Sequence, residues 1–332
     1  MIPVDALDTL DWGSRRLVPL VAWRLRDADV DEIAPLRSDL ATSMLAARVR
    51  LRSFSKVLGM LDRSGIDVLV LKGVGIAPLA YPDPGTRPVS DLDVLVRSDQ
   101  MGAVDELIQR QGTYRSYESI NPALRSRYRH SANARLDGHD VDVHWRLLVD
   151  RFDDRPDEAL WGRAREVPVG PGRARTLAVE DHVVHAIAHG IRRNQLSPVR
   201  WITDVARLVT HHPVDWSLVE ERAASRHVGG VLSHGLELLR RQFDVPVPAA
   251  TLRALRRASG PTRGRIDVWS RSPKRTRVGG AVNVVAVHYV LATRGWPAFT
   301  RLIRYPEYVR FRAIVDTRGA PVVDSGTHHW HG

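Results

Sequence analysis

Two aspartates separated by one residue begin an apolar run in "SDLDVLV", residues 90–96. If this run is a β-strand, Asp91 and Asp93 project from the same face, because side chains alternate along a strand. Neighbouring carboxylates repel each other unless positive charge lies between them, and Mg²⁺ prefers oxygen ligands of this kind. The pair therefore predicts a metal site, although a capping role where the strand begins also explains Asp91.

A second acidic strand is predicted at "HDVDVHW", residues 139–145, where Asp140, Asp142 and His144 share one face and two valines the other. If this strand lies beside the first, Asp142 adds a third carboxylate to the same region. Three acids on adjacent strands suit a two-metal site. The alternative is a half-exposed strand whose polar residues face water.

Phosphate-binding features surround the first acidic strand. Lys72 and Gly73 follow an apolar run and precede a predicted helix, where a glycine permits close approach of a ligand and a helix N-terminus favours phosphate. Arg87, in the proline-rich turn, can clamp a phosphate through two N–H groups. We add Ser90, beside the aspartates, to the phosphate-binding candidates. An ordinary strand-to-helix turn and a solvated arginine are the alternatives.

Helical and extended patterns divide the chain. "IDVLVL" (66–71) and "DLDVLV" (91–96) predict strands, with a short helix between them, and "SANARLDG" followed by "HDVDVHWRLL" predicts a hairpin that turns at Asp137-Gly138. Before them, apolar residues at mostly three- and four-residue steps predict a buried helical stripe. Its members are Leu36, Leu40, Met44, Leu45, Val49, Leu58 and Leu61.

These patterns predict an α+β fold, with a small mixed sheet flanked by helices. We expect an N-terminal helical segment at 1–64, a catalytic core at 65–165, a helical domain with a basic C-terminal region at 166–320, and a flexible tail at 321–332. The core boundary rests on "RFDDRP" and "VGPGRAR", which are poor interiors for regular elements.

Composition narrows the function classes. The 332 residues include 43 % hydrophobic and 26 % charged residues, ordinary globular values. Because there are no cysteines, disulfides and thiolate metal sites are excluded. The N-terminus lacks a signal-peptide pattern, and Asn283 and His288 interrupt the longest apolar stretch at 278–292, so neither a signal peptide nor a transmembrane segment is expected. We therefore expect a cytoplasmic protein.

The net charge of +11 comes from the C-terminal region, since residues 251–312 contain 14 basic and 2 acidic residues. Such a block attracts polyphosphates, nucleic acid or anionic membranes, or simply forms a solvated helical face. A His-rich end, His328, His329 and His331, offers metal ligands, but a frayed terminus is the simpler interpretation.

Two further histidines, His185 and His189, lie one helical turn apart on a predicted helix, in "VEDHVVHAIAHG". They suit a metal pair, a wall of an acceptor site, or polar packing at a domain interface, and we favour the interface. The same role is expected for Asp204 in "WITDVARLV", as a hydrogen-bond partner between domains. His144 is a further residue of this acceptor or interface class.

The motifs LKG, YPDPGTRPVSDLDVLV, VDVHWRLL, VEDHVVHAIAHG and WITDVARLV, in this order, resemble the uncharacterised nucleotidyltransferase family of the DNA polymerase beta-like superfamily. The resemblance covers about residues 60–245. The superfamily motif falls on Gly73, Asp91, Asp93 and Asp142. It implies that Asp91 and Asp93 hold Mg²⁺, and that Asp142, a third metal ligand, completes the site that deprotonates the acceptor hydroxyl.

The chain departs from that pattern in two places. Val74 stands where the superfamily usually has a serine that contacts phosphate, and the interval from Gly73 to Asp91 is longer than usual. Both departures suggest that Lys72 and Arg87 have taken over phosphate binding. They also leave open a member that binds nucleotide without catalysis.

The resemblance implies an enzyme that transfers NMP from an NTP, ATP by default, to a hydroxyl acceptor and releases pyrophosphate. Two Mg²⁺ ions are expected, with Mn²⁺ as an alternative. The acceptor, whether small molecule, peptide, protein or RNA, stays open. One rival is a glycosyltransferase that uses D-x-D to hold metal, which requires an α/β half upstream of the motif. Another is a nucleic-acid or partner-binding module that uses the C-terminal arginines.

Overall fold

The structure is a computed structural model that describes residues 9–27, 34–114, 125, 129–148, 155–191 and 199–259. Structural statements below concern these residues. Three features of the sequence lie outside them: most of the basic C-terminal region, the apolar stretch at 278–292, and the His-rich end. None of the helices in the described residues combines the length and the apolar character that a membrane crossing requires.

The N-terminal segment is helical, with α1 at Trp12–Arg15, α2 at Val18–Leu25 and α3 at Ala34–Arg63. The predicted stripe on α3 is wrong in part, because Leu45 and Val49 are 64 % and 61 % exposed. The buried face of α3 instead runs through Leu40, Ala47, Phe54, Val57 and Leu61. Its seven-residue spacing depends on Ala47, which is too small to mark a core position in the sequence.

Seven strands form one mixed sheet in the order β3-β4-β5-β2-β1-β7-β6. The strands are β1 at Val68–Val70, β2 at Leu92–Val96, β3 at Gly112–Tyr114, β4 at Ser131–Leu136, β5 at His139–His144, β6 at Arg165–Val169 and β7 at Gly172–Thr176. The α+β fold class and the mixed sheet flanked by helices are confirmed.

The two acidic strands, β2 and β5, are parallel neighbours, as the two-metal interpretation required. Their register places Asp93 directly opposite Asp142. The hairpin between β4 and β5 turns at Asp137 and Gly138, whose φ angles of 48° and 77° suit the turn that Asp-Gly favours. This turn sets the register of β5 against β4 and thereby helps to fix the position of Asp142.

The segment that contains "VGPGRAR" was expected to be a poor element interior and forms the hairpin of β6 and β7 instead. β7 pairs with β1 in parallel, so the sheet extends past residue 165 to Thr176. Alternating charged residues on β6 and β7 stay on the exposed face of this edge hairpin, while Val167 and Val169 are buried. The short apolar pattern is easily taken for a linker.

The remaining helices cover both faces of the sheet. They are α4 at Lys72–Ala80, α5 at Met101–Gln111, α6 at Arg155–Trp161, α7 at Val179–Gly190, α8 at Val199–His211, α9 at Trp216–Ser225, α10 at Gly229–Phe243 and α11 at Ala249–Ser259. One apolar core joins α3 and α5 to one sheet face, and a second joins the C-terminal helices to the other.

Strand alternation decides which core each residue enters. Leu92 and Val94 of β2 belong to the core shared with α3 and α5, whereas Leu95 belongs to the core shared with the C-terminal helices. Asp93 therefore projects from the face that meets the C-terminal helices. The same rule places Asp142 and His144 on that face, because Val141 and Val143 enter the other core.

Candidate active site at the paired strands β2 and β5

Asp93, Asp142 and His144 form a compact group at the paired strands. The Nε2 atom of His144 lies 3.0 Å from Oδ2 of Asp142 and 3.3 Å from Oδ1 of Asp93. One ligand atom from each residue lies within 4.8 Å of the others. Asp93 and His144 are almost fully buried, and Asp142 is 19 % exposed, so solvent reaches the group from the Asp142 side.

Lys72 supplies a positive charge to this group from the first turn of α4. Its ammonium contacts Oδ1 of Asp93 and lies 3.9 Å from Oδ2 of Asp142. The backbone of Lys72 has φ of 44°, in the left-handed region that residues other than glycine seldom adopt. The amide of Leu71 donates to the carbonyl of Asp93 at 2.9 Å, which ties this turn to β2.

The surroundings hold both carboxylates in their charged forms. Burial alone would raise the pKa of Asp93, but the Lys72 ammonium and the hydrogen bond from His144 outweigh it, so the pKa is lowered. The pKa of Asp142 is lowered further, since the charges of His144 and Lys72 outweigh its burial. Burial opposes protonation of His144, yet the charge of Asp142 is stronger and raises the pKa of the imidazole.

Two polar atoms of this group lack hydrogen-bond partners among the described residues: Oδ1 of Asp142 and Nδ1 of His144. Both are buried, and buried polar atoms are normally satisfied. Two ionised carboxylates and an imidazole with spare capacity form a donor set that fits a divalent cation, and the oxygen ligands suit Mg²⁺ or Mn²⁺. The group can therefore hold a metal, whose identity the donor set leaves open.

Asp91 lies outside the group that Asp93, Asp142 and His144 form, because β2 begins at Leu92 and the preceding residue turns away. Its exposed carboxylate accepts a hydrogen bond from the Ser90 hydroxyl at 2.9 Å. The protein atoms around the carboxylate and the charge of Asp93 raise the pKa of Asp91. Of the three predicted metal ligands, the structure thus brings two together, with His144 as their third partner.

Arg87 forms a buried ion pair with Asp204 of α8. Nε and Nη2 of Arg87 donate to the two carboxylate oxygens at 2.7 and 2.6 Å, and the Tyr81 hydroxyl donates at 2.7 Å. Burial disfavours both charges, but each charge stabilises the other, so the pKa of Arg87 is raised and that of Asp204 is lowered. This pair connects the turn before β2 to the C-terminal helices.

Gly73 makes room for that ion pair. A Cβ atom at Gly73 would lie 2.5 Å from Nη1 of Arg87 and 3.1 Å from a methyl group of Val89. The next residue, Val74, is buried in the core shared with α3 and α5. At the position where the superfamily usually has a serine, this chain therefore has an apolar core residue.

The two histidines of α7 are close to each other, with ring centroids 5.5 Å apart. His185 is buried and His189 is partly exposed. Neither belongs to the group of Asp93 and its partners. Both remain candidates for an acceptor wall or a helix interface.

Three arginines beside the site were not among the predicted site residues. Arg16 follows α1, Arg50 lies on α3, and Arg200 lies on α8 one turn before Asp204. The charges of all three act on the carboxylate of Asp91. For Arg200 the four-residue spacing from Asp204 was a usable signal, whereas nothing in the sequence distinguishes Arg16 and Arg50 from the other arginines of this arginine-rich chain.

Comparison with known proteins agrees with the resemblance seen in the motifs. The model of a family described as uncharacterised nucleotidyltransferase matches residues 12–244. No protein with a reviewed functional description matches significantly.

Two solved structures show distant similarity. The antibiotic-resistance factor ANT(2'')-Ia is 16 % identical with a TM-score of 0.40, over 57 % of this chain and 98 % of its own. A nucleotidyltransferase-like antigenic protein from Paracoccidioides brasiliensis is 15 % identical with a TM-score of 0.37, over 64 % of this chain and 92 % of its own. Similarity at this level carries no information about the site.

Proposed function

We propose that this chain, which belongs to the uncharacterised nucleotidyltransferase family, transfers NMP from an NTP to a hydroxyl acceptor in a reaction that depends on Mg²⁺ or Mn²⁺. The observation that carries the proposal is the pairing of Asp93 with Asp142 on neighbouring strands, with Oδ1 of Asp142 left without a partner among the described residues. Two charged carboxylates held this close require a cation, and a nucleotidyltransferase supplies one as its metal–nucleotide substrate.

In the proposed reaction the acceptor oxygen forms a bond to the α-phosphorus while the bond to the bridging oxygen of the β-phosphate breaks. Pyrophosphate leaves with that electron pair, and the hydroxyl proton leaves the acceptor oxygen. Catalysis of this kind consists mainly of alignment and electrostatic stabilisation. When bound, a divalent cation lowers the pKa of the acceptor hydroxyl and neutralises phosphate charge.

The residues have separate tasks in this proposal. Asp93, Asp142 and His144 hold the cation, and their pairing on the sheet keeps them at fixed separation. Oδ1 of Asp142 faces no donor within the described chain and is free to orient the acceptor hydroxyl. Asp91, at the exposed end, becomes a ligand only if a second cation binds there.

Lys72 has a different task from the phosphate binding expected for it. Its ammonium contacts Asp93, so it neutralises the carboxylates while the site holds no cation. When a cation binds, we expect Lys72 to turn toward the phosphates of the nucleotide. The side chain has five rotatable bonds up to Nζ and can make this change without backbone movement.

The test is incubation of the protein with Mg²⁺ or Mn²⁺, each NTP and a panel of hydroxyl acceptors. Mass spectrometry detects the NMP adduct, and a coupled assay detects pyrophosphate. We expect Asp93→Asn to lower transfer by at least about 100-fold, because a metal ligand is lost. Asp140→Asn is the matched control, since Asp140 lies on the same strand as Asp142 but outside the group.

Transfer by Asp93→Asn at the rate of the Asp140→Asn control would contradict the proposal. Transfer of a sugar from a nucleotide sugar, without pyrophosphate, would support the glycosyltransferase interpretation instead. Within the described residues, α3 is a single long helix upstream of β1, and no α/β half precedes the motif.

A further inference from the structure

A cluster of arginines surrounds the segment that leads into Asp91. Nη2 of Arg16 donates to the carbonyl oxygen of Pro88 at 3.1 Å and to the hydroxyl of Ser90 at 3.3 Å. Nη1 of Arg50 donates to the carbonyl oxygen of Val89. These bonds bring two guanidinium groups from the N-terminal helices to the exposed end of the site.

Two more guanidinium groups approach from the opposite side. Arg200 lies four residues before Asp204 on α8, so both side chains project from one helix face. Asp204 fixes Arg87 through Nε and Nη2, and Nη1 of Arg87 remains buried without a hydrogen-bond partner among the described residues. Arg87 is 6 % exposed, so this N–H group is withdrawn from bulk water.

Positive charge in the cluster exceeds the negative charge available to it. Burial and the charges of Arg200 and Arg87 lower the pKa of Arg16 to about 9. Burial likewise lowers the pKa of Arg50 and of Arg200, and Arg87 opposes the charge of Arg200. Asp91 is the carboxylate that the arginines share, since Asp204 is already bonded to Arg87 and Tyr81.

We propose that Arg16, Arg50 and Arg200, together with Nη1 of Arg87, form a binding site for a phosphate-rich anion at the Asp91 end of the site. Guanidinium groups are planar forks that bind phosphate oxygens through paired N–H donors, and several at one place suit a group with several negative charges. The inference deepens the proposed function and rests on it. The anion is either the polyphosphate of the nucleotide or a phosphate group on the acceptor.

The inference changes which elements the substrate needs. Lys72 contacts Asp93 and Arg87 is held by Asp204, so the two residues first expected to bind phosphate already have carboxylate partners. The arginine cluster comes from α3, the segment after α1, and α8. The anion would therefore bridge the N-terminal and C-terminal helices across the sheet.

The test measures binding of inorganic tripolyphosphate by isothermal titration calorimetry without divalent metal. Arg16→Gln, Arg50→Gln and Arg200→Gln are each expected to weaken binding about tenfold, as for loss of a hydrogen bond to a charged group. The matched controls are Arg15→Gln, Arg48→Gln and Arg253→Gln, which remove exposed arginines from α1, α3 and α11. Controls should stay within about twofold of the parent protein.

A second arm distinguishes the two sources of the anion. If the site takes the polyphosphate of the nucleotide, tripolyphosphate and a non-hydrolysable NTP exclude each other, and the three variants weaken NTP binding more than NMP binding. If the site takes a phosphorylated acceptor, both ligands bind together and the variants leave NTP affinity unchanged. Equal tripolyphosphate affinity in variants and controls, or no binding to the parent protein, would overturn the inference.

Folding and catalysis are kept apart from this outcome. Circular dichroism identifies a variant that fails to fold, and Arg→Lys at the same position then replaces it, with intermediate affinity expected because charge remains and the fork is lost. Binding is measured without turnover, so an inactive protein that binds tripolyphosphate contradicts the transferase proposal alone. An active protein whose arginine variants bind normally contradicts the anion site alone.

Discussion

Asp204 and Asp142 lie on two sides of the turn that contains Gly73, and their surroundings differ in one respect. Both oxygens of Asp204 accept hydrogen bonds, from Arg87 and from Tyr81. Oδ2 of Asp142 contacts His144, but Oδ1 has no partner among the described residues. The first carboxylate has a complete set of partners from the chain, and the second has room for a ligand.

This difference separates structural from functional acids better than burial does. Asp204 and Asp93 are both about 95 % buried, so exposure alone would put them in one class. What distinguishes them is whether the partner is itself fixed. Arg87 is held through two hydrogen bonds, whereas Lys72 is a flexible chain that reaches Asp93 with a single ammonium.

The largest effect is expected for Asp204→Ala. Removal of this carboxylate leaves the buried guanidinium of Arg87 unpaired, which costs about 3–5 kcal/mol of the free energy of unfolding. Urea denaturation measures the change. A loss below about 1 kcal/mol would show that Asp204 is not the structural acid, and would remove the basis of the comparison.

A smaller effect is expected from acid, through His182 of α7. Burial lowers the pKa of this imidazole to about 3, whereas the unfolded chain has the ordinary value near 6.5. Between these values the unfolded state binds more protons, so stability falls as pH falls. From pH 6.5 to 4.5 the contribution is about 2–3 kcal/mol.

The measurement is the free energy of unfolding in urea across that pH range. His182→Gln should flatten the dependence, and His211→Gln, an exposed histidine on α8, should not. His182 also limits the comparison, because its Nδ1 lacks a partner among the described residues although its Nε2 is bonded to Thr176. A vacant atom marks a ligand site only where charged groups converge.

Gly73→Ala tests the turn between the two acids. The added Cβ atom would lie 2.5 Å from Nη1 of Arg87, so the ion pair must shift, at a cost of about 1–3 kcal/mol. Gly102→Ala, on α5, is the matched control because a Cβ atom there meets nothing within 4 Å. The control should be neutral or stabilising by up to about 1 kcal/mol in thermal unfolding. Equal effects at the two glycines would contradict the packing described for Arg87.

The smallest change in stability is expected for Asp142→Asn. The substitution removes the repulsion between Asp142 and Asp93 as well as the attraction to His144, so the free energy of unfolding should change by less than about 1 kcal/mol. Binding of Mn²⁺ should disappear with it. The parent protein gains thermal stability from Mn²⁺ at concentrations above its dissociation constant, and the variant should gain none. An equal gain in the variant would place the cation elsewhere.

Local periodicity carried the sequence prediction as far as the strand faces. Alternation placed Asp93, Asp142 and His144 on one side of the sheet, and the Asp-Gly pair located the hairpin. It did not show that His144 rather than Asp91 completes the group, because a strand end turns away from the alternating pattern. Confusion of this kind is confined to the ends of elements.

Pairing between distant segments was beyond reach of the sequence. Arg87 and Asp204 are separated by 117 positions, and each looked like an ordinary polar residue in its own segment. Arg16 and Arg50 are a clearer case, since the chain has 49 basic residues and nothing local marks these two. Which arginines meet depends on how the helices cross the sheet, and that follows from packing rather than from spacing.

The parallel pairing of β2 with β5 has a consequence for how the protein fails. A slip of one residue in this register would turn Asp142 and His144 into an apolar core and bring Val141 and Val143 to the site, because every side chain changes face. Two buried charged groups make such a misfolded state unstable. Errors of strand alignment therefore yield unfolded chains that proteases remove, not folded molecules with an impaired site.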